Sequence, residues 1–267
     1  MRAANRSNGV PMLAWQVLLG AALLLGWEVG SRSGVLDKFF FSRPSDVIVR
    51  VWRMIATGSI WGHLVTTLLE AAISFLIGVI GGVVLGFVLA RNRFLAALLD
   101  PFIRVANALP RVVLAPIFLL WFGLGIWSKV ALGVTVVFFI VFFNTYQGVC
   151  EVDPVIVNNA RMLGASERQL IRHVLIPSAL SWIFSSLHIS IGFAIIAVVV
   201  GEYLGASRGV GYMISQAEGV FDTTGVFAGM AVLAGVVLIV GTLVDRLERY
   251  LLRWKVRDTG SVKGDMA

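Results

Sequence analysis

Long apolar runs separated by short polar segments dominate the pattern of this 267-residue chain. An apolar run of roughly 20 residues crosses a bilayer as a helix, because a helix satisfies its own backbone hydrogen bonds. The pattern therefore predicts an all-α, polytopic membrane protein with about six transmembrane helices. The predicted spans are residues 12–30, 63–90, 101–123, 130–149, 179–201 and 225–245.

Two of these spans carry residues with special backbone properties. Prolines recur through the third span, at Pro101, Pro110 and Pro116. Proline removes a helical hydrogen bond, so we expect this span to be kinked or broken. Glycines recur through the second span, at Gly78, Gly81, Gly82 and Gly86. Small residues at this spacing predict the close approach of another helix.

A polar segment at about residues 151–178 separates the fourth and fifth spans. Asp153 and Pro154 predict the capped start of a short helix, and Gly164 predicts its end, since glycine takes positive φ readily. The sequence from Ser166 to Gln169 is a capping box for a second short helix. Pro177 is expected to open the next span. We interpret this segment as a capped helical hairpin.

Shorter elements are predicted on the other side of the membrane. Apolar residues recur at helical spacing within residues 44–57, which indicates an interfacial amphipathic helix. A short helix is also expected within residues 205–224. Glu28, Glu70 and Glu202 fall near this outer interface, and the simplest interpretation is that each carboxylate reaches water.

Composition narrows the function. The chain is 58% hydrophobic and 14% charged, against about 25% charged residues in soluble domains. The net charge of +7 does not indicate nucleic-acid binding, because the basic residues flank apolar segments. A single cysteine, Cys150, excludes an intrachain disulfide. We find no phosphate-binding loop, metal-ligand spacing or catalytic constellation, so we expect neither an enzyme nor a cofactor.

Lysine and arginine predict the orientation. With the N-terminus inside, fifteen of the 22 basic residues fall on the cytoplasmic side and seven outside. This bias predicts that both termini are cytoplasmic, with residues 1–11 as an N-terminal segment, residues 12–255 as the transmembrane domain and residues 256–267 as a flexible tail. The hairpin is then cytoplasmic as well.

The hairpin resembles the cytoplasmic loop of ABC importer permeases, whose pattern is Glu-Ala-Ala, three residues, Gly, nine residues, then Ile-x-Leu-Pro. Ala160, Gly164 and Pro177 match this pattern, whereas Asn158 and Asn159 replace the Glu and the first Ala. By this resemblance we expect a type I importer permease fold. The residues expected to couple to an ATPase are Asn158, Asn159, Ala160, Arg161, Gly164, Ala165, Ser166 and Pro177.

Residues 40–255 are similar to the branch that imports aliphatic sulfonates, taurine and nitrate. The similar pieces include residues 43–45, 121–125, 144–149, 160–166, 201–205 and 209–212. Glu70 departs from the branch, in which a basic residue would be expected.

The resemblance implies an inner-membrane permease that works as a dimer, with ABC ATPase subunits inside and a substrate-binding protein outside. We expect the translocation path to run between two copies of the chain, with candidate lining residues Asn107, Trp121, Asn144 and Ser190. A small, anionic organic solute is the first substrate hypothesis. Nitrate, a pyrimidine vitamin precursor and an aromatic acid stay open, as does an ion-coupled secondary transporter.

Overall fold

The structure, a computed structural model, describes residues 12–251. The predicted N-terminal segment and the tail lie outside the described residues. Within them the chain is helical. The helices are α1 (Met12–Arg32), α2 (Lys38–Phe41), α3 (Pro44–Ala56), α4 (Ser59–Arg91), α5 (Arg93–Ala108), α6 (Ala115–Phe122), α7 (Ile126–Cys150), α8 (Pro154–Met162), α9 (Glu167–Leu170), α10 (Ile176–Leu204), α11 (Val210–Gly219) and α12 (Thr223–Leu251).

The predicted spans are confirmed as helices. Five helices of residues 12–251 are long and apolar enough to cross a membrane, and there are six spans if one bent pair crosses as a unit. The sixth is the proline-rich third span, in which α5 and the segment Arg111–Phe122 meet at 90°. The break falls at Leu109, which is extended because Pro110 follows it. Pro101 lies inside α5 without ending it.

The helices α4, α7 and α10 pack against one another and form the centre of the fold. The glycines of α4 face α7, as predicted. A Cβ atom on Gly82 would lie 2.8 Å from the Phe138 carbonyl oxygen, and one on Gly86 would lie 2.8 Å from the Phe142 carbonyl oxygen. These positions are filled by the backbone of α7, so the two helices touch along several turns.

The shorter helices α3 and α11 attach to this centre from the side that we predict to be external. The predicted helix at residues 44–57 is α3, and its first turn is held by α1. Glu28 of α1 accepts hydrogen bonds from the backbone N–H and the hydroxyl of Ser45, at 3.1 and 3.0 Å. Further along α3, Arg50 pairs with Asp222 at 2.5 Å. The Glu28 carboxylate thus supplies the cap that Arg43, at the N-cap position, does not.

Glu70 and Glu202 do not reach water, which corrects the expectation from the sequence. They are 2% and 1% exposed, and Lys129 is 1% exposed. Glu70 comes from α4, Lys129 from α7 and Glu202 from α10. Charged side chains from three spans thus meet between the packed helices instead of turning outward.

The start of α11 is held by side chains of α4 and α10. The Thr67 hydroxyl donates to Glu202 Oε1 at 2.7 Å and accepts from the Val210 backbone N–H at 2.9 Å. Glu202 Oε2 accepts from the Gly211 N–H at 2.8 Å. His63 contacts Gly209 at 3.1 Å. Because the first N–H groups of a helix have no partner within it, these contacts cap α11 from outside.

Replacement of Thr67 by valine should destabilise this part of the fold by about 1–3 kcal/mol, since the isosteric side chain leaves a buried N–H and a buried carboxylate oxygen without partners. Thermal unfolding of the purified protein in detergent measures the loss. Thr66→Val is the matched control, because the Thr66 hydroxyl donates to the Gly62 carbonyl of its own helix in an exposed hydrogen bond. Equal unfolding temperatures for Thr67→Val and the control would show that the hydroxyl does not hold α11.

Candidate functional site

The first half of the predicted hairpin is α8, and both of its ends are formed as expected. The Asp153 carboxylate accepts from the Val155 N–H at 2.8 Å. At the other end, Gly164 has a φ of +82°. Its N–H bonds to the Arg161 carbonyl at 2.9 Å, and the Ala165 N–H bonds to the Ala160 carbonyl at 3.0 Å. This pair of bonds is a Schellman motif, which ends α8 with a sharp reversal of the chain.

The second half begins with the predicted capping box between Ser166 and Gln169. It does not stay separate from the next span, however, and Pro177 does not open a new helix. Residues Glu167–Leu204 form one continuous helix that includes a π-helical turn at Ile171–Leu175. In that turn the Ile176 N–H reaches back to the Ile171 carbonyl. The wider turn accommodates a proline that has no N–H to donate, so the helix continues.

Ion pairs fix the bend of the hairpin and tie it to α4. The Glu167 carboxylate accepts from Arg161 of α8 at 3.1 Å and also pairs with Arg91, the last residue of α4. These groups are partly exposed, so each pair contributes little stability by itself. They instead fix the relative positions of three helices, because one carboxylate connects α4, α8 and the helix that continues into α10.

The tip of the hairpin presents apolar side chains to the solvent. Met162 is 85% exposed and Leu163 is 88% exposed, and Val155 and Ile156 are exposed on the same short helix. Beside them lies an open pocket of about 310 Å³. Its lining residues are Ala160, Leu163, Gly164, Ala165, Gln169, Leu170, His173 and Val174. A protruding apolar tip next to a shallow pocket is typical of a surface that packs against another protein.

The predicted coupling residues fall on this surface to different degrees. Ala160 and Ala165 are half-buried and line the pocket. The others are exposed on the hairpin or at the start of the following span: Asn158, Asn159, Arg161, Gly164, Ser166 and Pro177. The structure therefore brings Ala160, Gly164 and Ala165 together around one pocket and leaves Pro177 outside it.

The candidate path residues do not form one group. Trp121 of α6 is 70% exposed. Asn107 is exposed, and its side-chain oxygen accepts from Arg111 at 2.9 Å. Asn144 is half-buried and donates to the Ile140 carbonyl of its own helix at 2.8 Å. Ser190 is completely buried within the single chain. In the single chain its hydroxyl is therefore not open to a second copy or to a solute.

Two arginines have structural roles that the sequence did not predict: Arg111 caps a helix end, and Arg91 pairs with the hairpin. The Arg111 guanidinium donates to the carbonyls of Ala106, Asn107 and Leu109 at 2.9, 3.0 and 2.6 Å. It thus satisfies the end of α5 at the 90° break. The position of Arg111 directly after Pro110 is a usable signal for such a cap. Nothing in the sequence links Arg91 to Glu167, 76 residues away.

Residues 78–257 match the family model described as "Binding-protein-dependent transport system inner membrane component". Among curated proteins, the chain is 32% identical to the putative aliphatic sulfonates transport permease protein of Bacillus subtilis, over 95% of this chain and 92% of that protein. It is 30% identical to the formylaminopyrimidine transport permease protein of Halalkalibacterium halodurans, over 87% of this chain and 92% of that protein. It is 33% identical to the riboflavin transport system permease protein of Chloroflexus aurantiacus, over 87% of each.

Solved structures show the same fold. The match to an amino acid ABC transporter has a TM-score of 0.61 at 18% identity and covers 76% of this chain and 97% of that one. The match to an inward-facing methionine ABC transporter has a TM-score of 0.57 at 20% identity and covers 72% of this chain and 93% of that one. The type I importer permease fold expected from the sequence is thereby confirmed. The chain belongs to the binding-protein-dependent transport system inner membrane components, the permeases of ABC importers.

Proposed function

We propose that this permease moves a small, anionic organic solute, with aliphatic sulfonates and taurine-like molecules first, in an importer driven by a separate ATPase. The proposed substrate class rests on the similarity, over 95% of the chain, to a permease named for aliphatic sulfonates. Family membership favours ATP-driven import over the ion-coupled carrier that the sequence alone left open. The formylaminopyrimidine permease is the specific observation behind a second candidate, a pyrimidine vitamin precursor.

The cytoplasmic hairpin is the proposed docking element for the ATPase. The exposed Met162 and Leu163 side chains and the adjacent pocket supply a surface for apolar contact. The continuous helix from Glu167 to Leu204 supplies a direct connection to the membrane. A movement of the hairpin tip would be passed along this helix, because the helix runs without a break from the docking surface into the span.

The proposed orientation places both termini and the hairpin in the cytoplasm of a bacterial inner membrane. The excess of basic residues on that side supports it. The opposite face, built from α2, α3 and α11, then meets the substrate-binding protein. We further propose that two copies of the permease assemble together, with one ATPase subunit on each hairpin.

Gly164→Val should weaken ATPase docking and transport while leaving membrane insertion intact. A Cβ atom at Gly164 meets no other atom within 4 Å, so the cost comes from the φ of +82° alone. We expect about 1–2 kcal/mol of strain at the bend. Co-purification with the partner ATPase and solute uptake measure the effect.

Gly164→Asn is the matched control, because asparagine tolerates this backbone conformation while adding a side chain of similar size. It should retain most of the docking and uptake. If Gly164→Val holds the ATPase as tightly as the parent, the bend does not position the docking surface.

Trp121 is the strongest remaining candidate for the translocation path, since its side chain is available to contact a second copy or a solute. Trp121→Ala, and more weakly Asn107→Ala and Asn144→Ala, should lower uptake without loss of the ATPase. Ser190→Ala should transport like the parent, because this buried hydroxyl lies away from the surface. Parent-like uptake by the first three variants would place the path elsewhere.

The substrate class is tested by growth and uptake. A deletion strain offered taurine or alkanesulfonates as the sole sulfur source should grow poorly and recover when the gene is restored. The basic residues on the predicted outer side add little to the case for an anionic substrate, because one of them, Arg50, is already paired with Asp222. Unimpaired uptake of every sulfonate, with loss of formylaminopyrimidine uptake, would replace the first candidate by the second.

A further inference from the structure

Two carboxyl groups and one amine meet inside the bundle. Glu70, Glu202 and Lys129 lie between α4, α7 and α10, each at least 98% buried. Glu70 interacts with both Glu202 and Lys129. If all three groups were ionised, the cluster would carry a net negative charge in a place that water does not reach. A buried charge is costly unless a partner balances it.

The hydrogen bonds distinguish the two acids. Both oxygens of Glu202 have donors, since Thr67 donates to Oε1 at 2.7 Å and the Gly211 N–H donates to Oε2 at 2.8 Å. This is the environment of an ionised carboxylate, which only accepts hydrogen bonds. Glu70 Oε2 is buried and has no hydrogen-bond partner among residues 12–251. The environment of Glu70 therefore lacks the donor that an ionised carboxylate requires at that oxygen.

Lys129 does not provide this donor. Its Nζ atom donates to the Leu124 carbonyl at 2.7 Å and to the Gly125 carbonyl at 3.0 Å. The titratable side chain of His63 contacts Gly209 at the start of α11. The ammonium group thus balances one negative charge through space while its hydrogen bonds go to the backbone.

We propose that Glu70 holds a bound proton and donates it in a hydrogen bond to the Glu202 carboxylate. The cluster then contains one neutral acid, one carboxylate and one ammonium, so its charges balance. The proton joins α4 to α10 at the point where Glu202 also caps α11. This site is new relative to the transport function and does not depend on the substrate or on the ATPase.

The position of Glu70 strengthens this assignment. It lies eleven residues after Ser59, about 16 Å along α4, and not at the helix end where a charge could turn toward water. A carboxylic acid is less costly to bury than a carboxylate. A second acid beside Glu202 is tolerated here because the shared proton replaces repulsion with a hydrogen bond.

Infrared spectroscopy of the full chain in lipid nanodiscs at neutral pH tests the proposal. A protonated carboxyl group has a carbonyl band at higher frequency than amides and carboxylates. The parent should show this band, and Glu70→Gln should lose it. Glu202→Gln should lose it too, because the remaining acid then ionises to balance Lys129. Glu151→Gln is the control, since it removes an exposed acid outside the cluster and should keep the band.

If the parent protein shows no such carbonyl band, the proposal is overturned, and no variant needs to be measured. Its persistence in Glu70→Gln would place the proton on another group. Thermal unfolding gives an independent readout for Glu70→Gln, which keeps the size of the side chain and a donor toward Glu202. The unfolding temperature should stay close to that of the parent. A large rise would mean that the parent buries an uncompensated negative charge and that Glu70 carries no proton.

Discussion

The contact between α4 and α7 determines how the rest of this molecule is arranged. Membrane lipid offers no hydrophobic driving force for helix association, so packing must come from close backbone approach. The glycines at 78, 82 and 86 give α7 that approach. The Val137 side chain lies where a side chain at 78 would be, and backbone carbonyl oxygens of α7 lie where side chains at 82 and 86 would be. Helix α10 then packs against the same pair. The hairpin connects α7 to α10, so this packing also fixes the base of the hairpin.

The hairpin and the buried cluster lie near opposite ends of one long helix. Glu167 pairs with Arg91 and Arg161 at the start of this helix, and Glu202 caps α11 near its end. The same helix therefore connects the hairpin to the start of α11. Transport by alternating access needs an element with two arrangements that a partner can bias. The continuous helix from Glu167 to Leu204 is suited to this role, because it runs past Pro177 without a break and joins both ends.

Local structure followed from the sequence wherever one residue type determines the backbone. The glycine at 164 and the capping box at Ser166 fixed the two sides of the bend, and the apolar runs fixed the spans. What the sequence could not show were contacts between distant residues. Glu70, Lys129 and Glu202 are separated by 59 and 73 positions and look like independent charges until the helices are packed. The sequence could not show the burial of Ser190 for the same reason, since that burial depends on which side of α10 faces the bundle.

The central claim is that the hairpin lies in the cytoplasm and contacts an ATPase, and site-directed labelling tests it most directly. Cys150 is replaced by serine, and a single cysteine is placed at Leu163 on the hairpin tip or at Phe221 on the opposite face. In intact cells, an impermeant thiol reagent should label the cysteine at 221 and not the one at 163. A short cross-linker in inside-out vesicles should join position 163 to the ATPase. Labelling of position 163 from outside, or a cross-link to the ATPase from position 221, would contradict the account.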